Sequence, residues 1–150
     1  MQHFRPAMPA DASRICDFQI RMAWETEKLR LDPKTCDAGV RAVFARPHLG
    51  TYYVCEFEGT VIGSLLVVTE WSDWRNGECW WIHSVYLEPE FRGRGLFAQF
   101  YAYVKSLVVD SPQARGLRLY VDRTNVKAQA VYARIGMNCD HYLLYEWMKP

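Results

Sequence analysis

The strongest constraint on the fold is a strand, a short basic loop and a helix that follow one another over residues 79–110. CWWIHSVYL at 79–87 is an apolar run of strand length. EFRGRG at 90–95 leads directly into a segment whose apolar residues recur at helical spacing, namely Leu96, Phe97, Phe100, Tyr101, Val104, Leu107 and Val108. Because backbone N–H groups at the start of a helix favour anions, the loop suits a phosphate; a basic surface turn is the alternative.

Two helices and two strands are predicted ahead of this unit. Asp11 is a candidate cap for the first helix, and Asp32-Pro33 is a typical start for the second. Alternating segments at 51–58 and 60–71 predict a hairpin that leads into the strand at 79–87.

Three further elements are predicted after the loop helix: a short strand at 117–122, a helix at 125–135 and a closing strand at 139–148. The order is then α-α-β-β-β-α-β-α-β, which indicates an α/β fold with a mixed central sheet flanked by helices. The length of 150 residues, without a repeat or linker, predicts a single domain spanning residues 1–150.

Composition excludes several classes of function. A formal net charge of +1 predicts neither nucleic-acid binding nor attraction to an anionic membrane. The sequence has no secretory leader pattern and no apolar run near the ~20 residues of a membrane helix, so we expect a cytoplasmic protein. The five cysteines and four histidines are dispersed, without a C-x-x-C pair. This pattern predicts reduced thiols and no metal site.

The glycines of the loop also fit a dinucleotide-binding fingerprint. Gly93, Gly95 and Ala98 satisfy G-x-G-x-x-G/A. That fingerprint follows its strand directly and opens a βαβ unit, whereas here residues 88–92 intervene and five predicted elements precede the loop. The residue placed to bind a ribose, Asp110, lies at the end of the helical stripe and not on a strand. These features disfavour a dinucleotide fold.

The loop resembles a different family more closely. VYLEPEFRGRGLF at 85–97 resembles the acetyl-CoA loop of the GCN5-related N-acetyltransferase (GNAT) family, in which a strand and an acidic-proline turn precede R/Q-x-x-G-x-G/A. The six positions of that motif are Arg92, Gly93, Arg94, Gly95, Leu96 and Phe97. Phe97 departs from the family pattern, which usually has a small residue there.

A second stretch resembles the family's later motif, N-x-x-A-x-x-x-Y-x-x-x-G-F. NVKAQAVYARIGM at 125–137 matches it at Asn125, Ala128, Tyr132 and Gly136, with Met137 in place of Phe. The resemblance spans the whole chain in its order of elements and is sharpest over residues 80–137.

The resemblance implies that acetyl-CoA is the co-substrate and that no metal takes part. Backbone groups of Val85, Tyr86 and Leu87 would bind the pantetheine arm, as if it were an added strand. The pyrophosphate would be held by a loop and helix start comprising Arg92, Gly93, Arg94, Gly95, Leu96, Phe97 and Ala98. Asn125 would bind pantetheine, cap its helix, or do both.

The family's chemistry implies direct attack of an amine on the thioester. Tyr132 matches the family's general acid, which protonates the leaving thiolate; a packed core tyrosine is the alternative. His83 is the candidate base, because it lies two residues before Val85 on the same strand face and its unperturbed pKa is ~6.5. Glu25, Glu27 and Glu78 are the other candidates.

The acceptor side is less defined. Glu25 and Glu27 lie on the first helical arm, which in this family often lines the acceptor site. Four tryptophans bracket Asn76-Gly77, namely Trp71, Trp74, Trp80 and Trp81. They would wall an aromatic acceptor pocket, to which we assign Trp71 and Trp81, or bury the turn in a homodimer.

Taken together, the residues and the resemblance predict an acetyl-CoA-dependent N-acetyltransferase acting on a primary amine, with a small molecule favoured over a peptide. Acetylation of a protein N-terminus or lysine is the alternative within enzymes. A domain that binds acyl-CoA without catalysis, as a sensor, is the alternative outside them.

Overall fold

The computed structural model describes residues 1–150, and the chain divides into two compact units, Met1–Arg118 and Leu119–Pro150. The first unit contains β1 (Gln2–Pro6), α1 (Ala12–Glu27), α2 (Pro33–Ala45), β2 (Thr51–Phe57), β3 (Thr60–Ser72), β4 (Gly77–Leu87), α3 (Leu96–Asp110) and β5 (Ala114–Arg118). The second contains α4 (Val126–Arg134). No helix is long and apolar enough to span a bilayer.

The first unit is built on one mixed sheet with the strand order β1-β2-β3-β4-β5. The first four strands are antiparallel neighbours, and β5 runs parallel to β4 after the crossover through α3. The sequence therefore predicted the fold class correctly: a mixed sheet flanked by helices is confirmed.

Helices cover both faces of this sheet. On one face, α1 and α2 pack on β2 through a cluster that includes Ile15, Val40 and Val54. On the other face, α3 packs on the first strands, with the ring of Phe100 stacked on that of Phe4 at 5.1 Å. The strand residues alternate between these two layers, as a sheet buried on both sides requires.

Both ends of the predicted order need correction. The structure adds β1, a five-residue edge strand whose Phe4 pairs with Cys55 of β2. It is short and carries a histidine and an arginine, so its apolar pattern is weak. The predicted closing strand at 139–148 does not form; these residues are exposed and pair with no strand. Alternating apolar residues indicate a strand only where a neighbouring strand can accept their backbone hydrogen bonds.

The fourth predicted strand forms, but earlier in the chain. The sequence predicted this strand at residues 117–122, whereas in the structure β5 spans Ala114–Arg118. Its bounds are set by pairing with β4, in which Glu78 lies opposite Ala114 and Trp81 opposite Arg118. Non-local pairing, and not the local apolar run, decides where this strand begins.

Two predicted helix caps form their hydrogen bonds, whereas Asp11 occupies the N-cap position of α1 without forming one. The Asp32 carboxylate accepts from the Thr35 N–H at 2.8 Å at the start of α2, and Asn125 accepts from the Ala128 N–H at 3.1 Å at the start of α4. Asp11 makes no such cap on α1. Its carboxylate pairs instead with Arg5 at 2.8 Å and accepts from the Met8 N–H.

Candidate active site

The centre of the candidate site is a bulge in β4. Tyr86 pairs with Ser64 and His83 with Leu66, so the two residues Ser84 and Val85 lie opposite the single residue between those partners on β3. Ser84 has φ 53°, a left-handed conformation that is uncommon for a residue other than glycine. A bulge of this kind leaves backbone groups outside the ladder and redirects the strand.

At the level of the bulge, the edge of β4 that faces β5 has no strand partner. β5 pairs with β4 only from Glu78 to Trp81. Beyond Trp81, the backbone of β4 has no strand on that side up to its end at Leu87. The N–H and C=O groups of residues 85–87 on this edge are therefore available to an extended ligand, except for the Leu87 carbonyl oxygen, which accepts from Arg92. The sequence predicted the pantetheine arm at this edge.

The glycine loop connects this edge to the start of α3. After a short turn at Pro89–Phe91, Gly93 and Gly95 adopt φ 73° and φ 74°, and Gly95 is the N-cap of α3. A Cβ at either glycine would meet no atom within 4 Å, so the requirement for glycine is conformational and not steric crowding. The exposed loop thus presents amide groups at a helix N-terminus, an arrangement suited to a phosphate.

The two loop arginines make different contacts. Arg92 Nε donates to the Leu87 carbonyl oxygen at 2.7 Å, and Nη2 donates to Glu25 Oε2 at 2.9 Å. Arg94 has no carboxylate partner, and its guanidinium lies 5.9 Å from the ring centroid of Phe91. Phe97, the departure from the family motif, lies on α3 with its ring 6.4 Å from that of Tyr101 one turn later.

His83 lies on the sheet face that α1 covers. Its cross-strand partner Leu66 packs against the cluster beneath α1 and α2, and paired residues share a face. The imidazole stacks on Trp81 with ring centroids 6.2 Å apart and planes 10° apart. Partial burial lowers the pKa of His83, so the ring is neutral at pH 7 and has a nitrogen that can accept a proton.

The predicted acceptor tryptophans do not lie together. Trp81 is half-buried, with the guanidinium of Arg118 6.0 Å from its ring and Glu70 bonded to that arginine at 3.0 Å. Trp71 pairs with Glu78, and its place in the β3 alternation puts it on the opposite face, 60% exposed. Trp74 lies in the turn between β3 and β4 and is also exposed.

The three glutamates considered as bases occupy different places. Glu78 bonds the Trp80 indole at 3.3 Å and lies six residues before Ser84, about 20 Å away along a strand. Glu25 accepts from the Tyr86 hydroxyl at 3.3 Å and from Arg92. Glu27 is the exposed last residue of α1.

A buried carboxylate that the sequence did not single out joins α1 to the end of β4. Glu88 is 6% exposed and bonds Arg14 at 2.6 Å and Arg21 at 2.7 Å. Hydrogen bonds from Arg21 and the charges of both arginines hold the pKa of Glu88 below its usual range. The only signal in the sequence was the seven-residue spacing of two arginines on one face of a predicted helix.

The second unit contains the other motif residues. Tyr132 lies on α4, and burial raises the pKa of its phenol, so it stays protonated at neutral pH. Gly136 has φ 94° just after the helix, and the Met137 N–H donates to the Tyr132 carbonyl oxygen at 3.0 Å. Asn125 caps α4, which establishes one of its two predicted roles.

Comparisons with known proteins agree with these features. The model of the GNAT acetyltransferase family matches residues 12–137. A structure from Clostridium difficile 630 described as a "possible acetyltransferase" is 33% identical, with a TM-score of 0.93 over 100% of this chain and 99% of that one. The chain belongs to the GNAT acetyltransferase family, and the predicted class of enzyme, an acyltransferase, is confirmed.

More distant structures share the fold. A "predicted acetyltransferase with acetyl-CoA" from Clostridium acetobutylicum is 18% identical, with a TM-score of 0.76 over 97% of this chain and 96% of that one. Glucosamine-6-phosphate N-acetyltransferase from Arabidopsis thaliana is 16% identical, with a TM-score of 0.73 over 99% of each chain. No curated protein sequence matches this chain.

Proposed function

We propose that this enzyme transfers the acetyl group of acetyl-CoA to the primary amine of a small molecule by direct attack on the thioester. The observation that carries the proposal is the arrangement at the end of β4. An unpaired strand edge and a bulge lie immediately before two left-handed glycines and the first turn of α3. An acyl-CoA needs both features, because its pantetheine amides pair with a strand edge and its pyrophosphate needs N–H donors.

The residues that would hold acetyl-CoA follow from this arrangement. Backbone groups of residues 85–87 bind the pantetheine arm, and the amides of residues 93–98 bind the pyrophosphate, with Arg94 as the neighbouring cation. We assign to a backbone N–H at the bulge the role of polarising the thioester carbonyl, and donors of this kind contribute roughly 3 kcal/mol in acyl transfer. Acetyl-CoA supplies the activated acyl group.

The proton transfers are assigned to two side chains. An alkyl amine with a pKa of ~10 is mostly protonated at pH 7, so a base must take one proton before the nitrogen has a lone pair with which to attack. His83 is assigned this role, directly or through water, because it is neutral at pH 7 and lies just before the bulge. The C–N bond forms and the C–S bond breaks, and the thiolate takes its proton from Tyr132, which is assigned by its place in the later motif. The second proton that the acylated nitrogen loses restores the Tyr132 phenol through water.

The acceptor is assigned to the α1-bearing face. Trp81 and His83 form its aromatic floor, and the exposed Glu27 contributes negative charge at the end of α1. Glu25 lines the same end of the helix with its carboxylate paired to Arg92. Carboxylates and an indole favour a cationic amine. Trp71 lies on the other face, so a role for it requires an acceptor that extends around the edge of the sheet.

A thiol-release assay with acetyl-CoA and a panel of amines, amino acids and peptides tests the proposal. Release driven by free amines supports it. Release with peptides alone would make the enzyme a protein acetyltransferase. Binding of acetyl-CoA without release on any acceptor would support a non-catalytic acyl-CoA sensor.

We expect acetyl-CoA to stabilise the protein against heat. A ligand at 100 times its dissociation constant adds ~2.7 kcal/mol to the free energy of unfolding, which for this length is a rise of roughly 5–10 °C in Tm. Differential scanning fluorimetry measures this shift, with NAD and NADP as controls that should leave Tm unchanged. A shift with NAD and none with acetyl-CoA would contradict the proposed ligand.

We expect His83→Gln to remove the acidic limb of the pH–kcat/KM profile. Because burial lowers the pKa of His83, this limb should lie below the usual ~6.5 in the native enzyme, with activity lost as pH falls through it. Glutamine keeps the size and hydrogen bonding of the side chain but does not titrate. An acidic limb that persists in the variant would place the base elsewhere, with Glu25 and Glu27 tested next.

A further inference from the structure

One stripe of α1 contacts the strand end from which the glycine loop departs. Arg14, Phe18, Arg21 and Glu25 lie on one helix face, since they are spaced by four, three and four residues. Phe18 stacks on Tyr86 at 4.9 Å, between the two arginines that bond Glu88. We call these four residues, together with Tyr86 of β4 and Glu88 directly after it, the α1–β4 seam.

The last contact of the α1–β4 seam reaches the loop itself. Glu25 uses one oxygen to accept from Tyr86 and the other to accept from Arg92. The Arg92 guanidinium also lies 5.0 Å from the Tyr86 ring centroid, while its Nε donates to the Leu87 carbonyl oxygen. Arg92 is therefore held by a carboxylate, an aromatic ring and a backbone carbonyl, all of them at the α1–β4 seam.

We propose that Arg92 is a positioning residue that ties the last turn of α1 to the cofactor loop through Glu25, and is not a phosphate ligand. The Glu25 carboxylate compensates its charge, whereas Arg94 has no carboxylate partner and remains the cation of the loop. This inference rests on the proposed function in one respect, namely that the loop binds the pyrophosphate of coenzyme A. It implies that a ligand bound to the loop also orders the last turn of α1, on the acceptor side of the site.

The position of Glu25 makes this effect local. α1 ends at Glu27, and Lys28 follows with φ 54°, so the ion pair holds the turn that frays most readily. An ion pair as exposed as Arg92 and Glu25 contributes little to global stability. Its loss should therefore appear in the opening of this turn and not in the melting of the whole protein.

Hydrogen–deuterium exchange of residues 24–30, with and without coenzyme A, tests the inference. Without ligand, Glu25→Gln and Arg92→Gln should each speed exchange there roughly fivefold, and the double variant should add nothing further. Coenzyme A should slow this exchange in the native protein and much less in the variants. Arg41→Gln is the matched control: it removes an exposed pair with Asp37 on α2 and a hydrogen bond to Ser13 at the opposite end of α1, and it should leave exchange of residues 24–30 unchanged.

Calorimetric titration with coenzyme A separates the two roles of Arg92. As a positioning residue, Arg92→Gln should weaken binding no more than Glu25→Gln does, and Arg92→Lys should not restore slow exchange because lysine lacks the Nε bond to Leu87. The inference is overturned if Arg92→Gln alone weakens binding more than about tenfold and Arg92→Lys restores it. If native protein does not bind coenzyme A, the proposed function fails, while exchange without ligand still decides whether Arg92 and Glu25 act together.

Discussion

Tyr132→Phe is expected to lower kcat by about 100- to 10,000-fold, the usual contribution of general acid catalysis, if departure of the thiolate limits turnover. Burial raises the pKa of this phenol, so the native enzyme keeps the proton that the leaving group needs. The variant loses one oxygen atom and no ring surface. Thermal stability and acetyl-CoA affinity should therefore stay close to native while single-turnover acetylation slows.

A second tyrosine provides the control for this substitution. Tyr103 on α3 is also half-buried, and its ring stacks on Phe4 at 5.8 Å, away from the loop and the bulge. Tyr103→Phe should keep the native rate. An unchanged rate in Tyr132→Phe, measured with a working acceptor, would make Tyr132 a packing residue of α4.

The central unit of the fold could be predicted because its signals are local. An apolar strand, turn residues, two glycines and a helical stripe follow one another in the sequence, and β4, the loop and α3 form where these signals lie. Gly93 and Gly95 have the positive φ angles that glycine adopts most easily.

The features that distinguish the site depend on non-local pairing. The bulge at Ser84 exists because β3 supplies one residue where β4 has two, and the open edge exists because β5 stops opposite Trp81. Neither follows from a pattern within one segment. The local pattern also placed a strand at 139–148, where no partner strand is present.

Charged residues show the same limit. The sequence placed Arg92 in the loop correctly. The direction of its side chain, however, depends on Glu25, which lies on α1, 67 residues earlier in the chain. Glu88 was read as part of an acidic-proline turn, yet it is a buried partner of two arginines on α1. Composition and motif identify such residues, and only the packing of α1 on β4 assigns their partners.

Gly95→Val is expected to weaken binding of acetyl-CoA at least about 100-fold, which corresponds to the loss of one or two hydrogen bonds to a charged group. Gly95 has φ 74° at the N-cap of α3, and a β-branched residue is strongly disfavoured there. A Cβ would meet nothing within 4 Å, so the exposed loop can shift to relieve the strain without disturbing the core. The shift turns the amides of the loop away from a common point, which isothermal titration calorimetry measures as lost affinity.

Gly39→Val separates this conformational effect from the general cost of a larger side chain. Gly39 is exposed within α2, lacks a positive φ, and likewise has no atom within 4 Å of an added Cβ. Valine there should leave affinity for acetyl-CoA native, because both replacements add the same atoms to open space and only one of them requires a left-handed backbone. If Gly95→Val binds acetyl-CoA as tightly as Gly39→Val does, the loop is a surface turn, and the phosphate site lies elsewhere in the molecule.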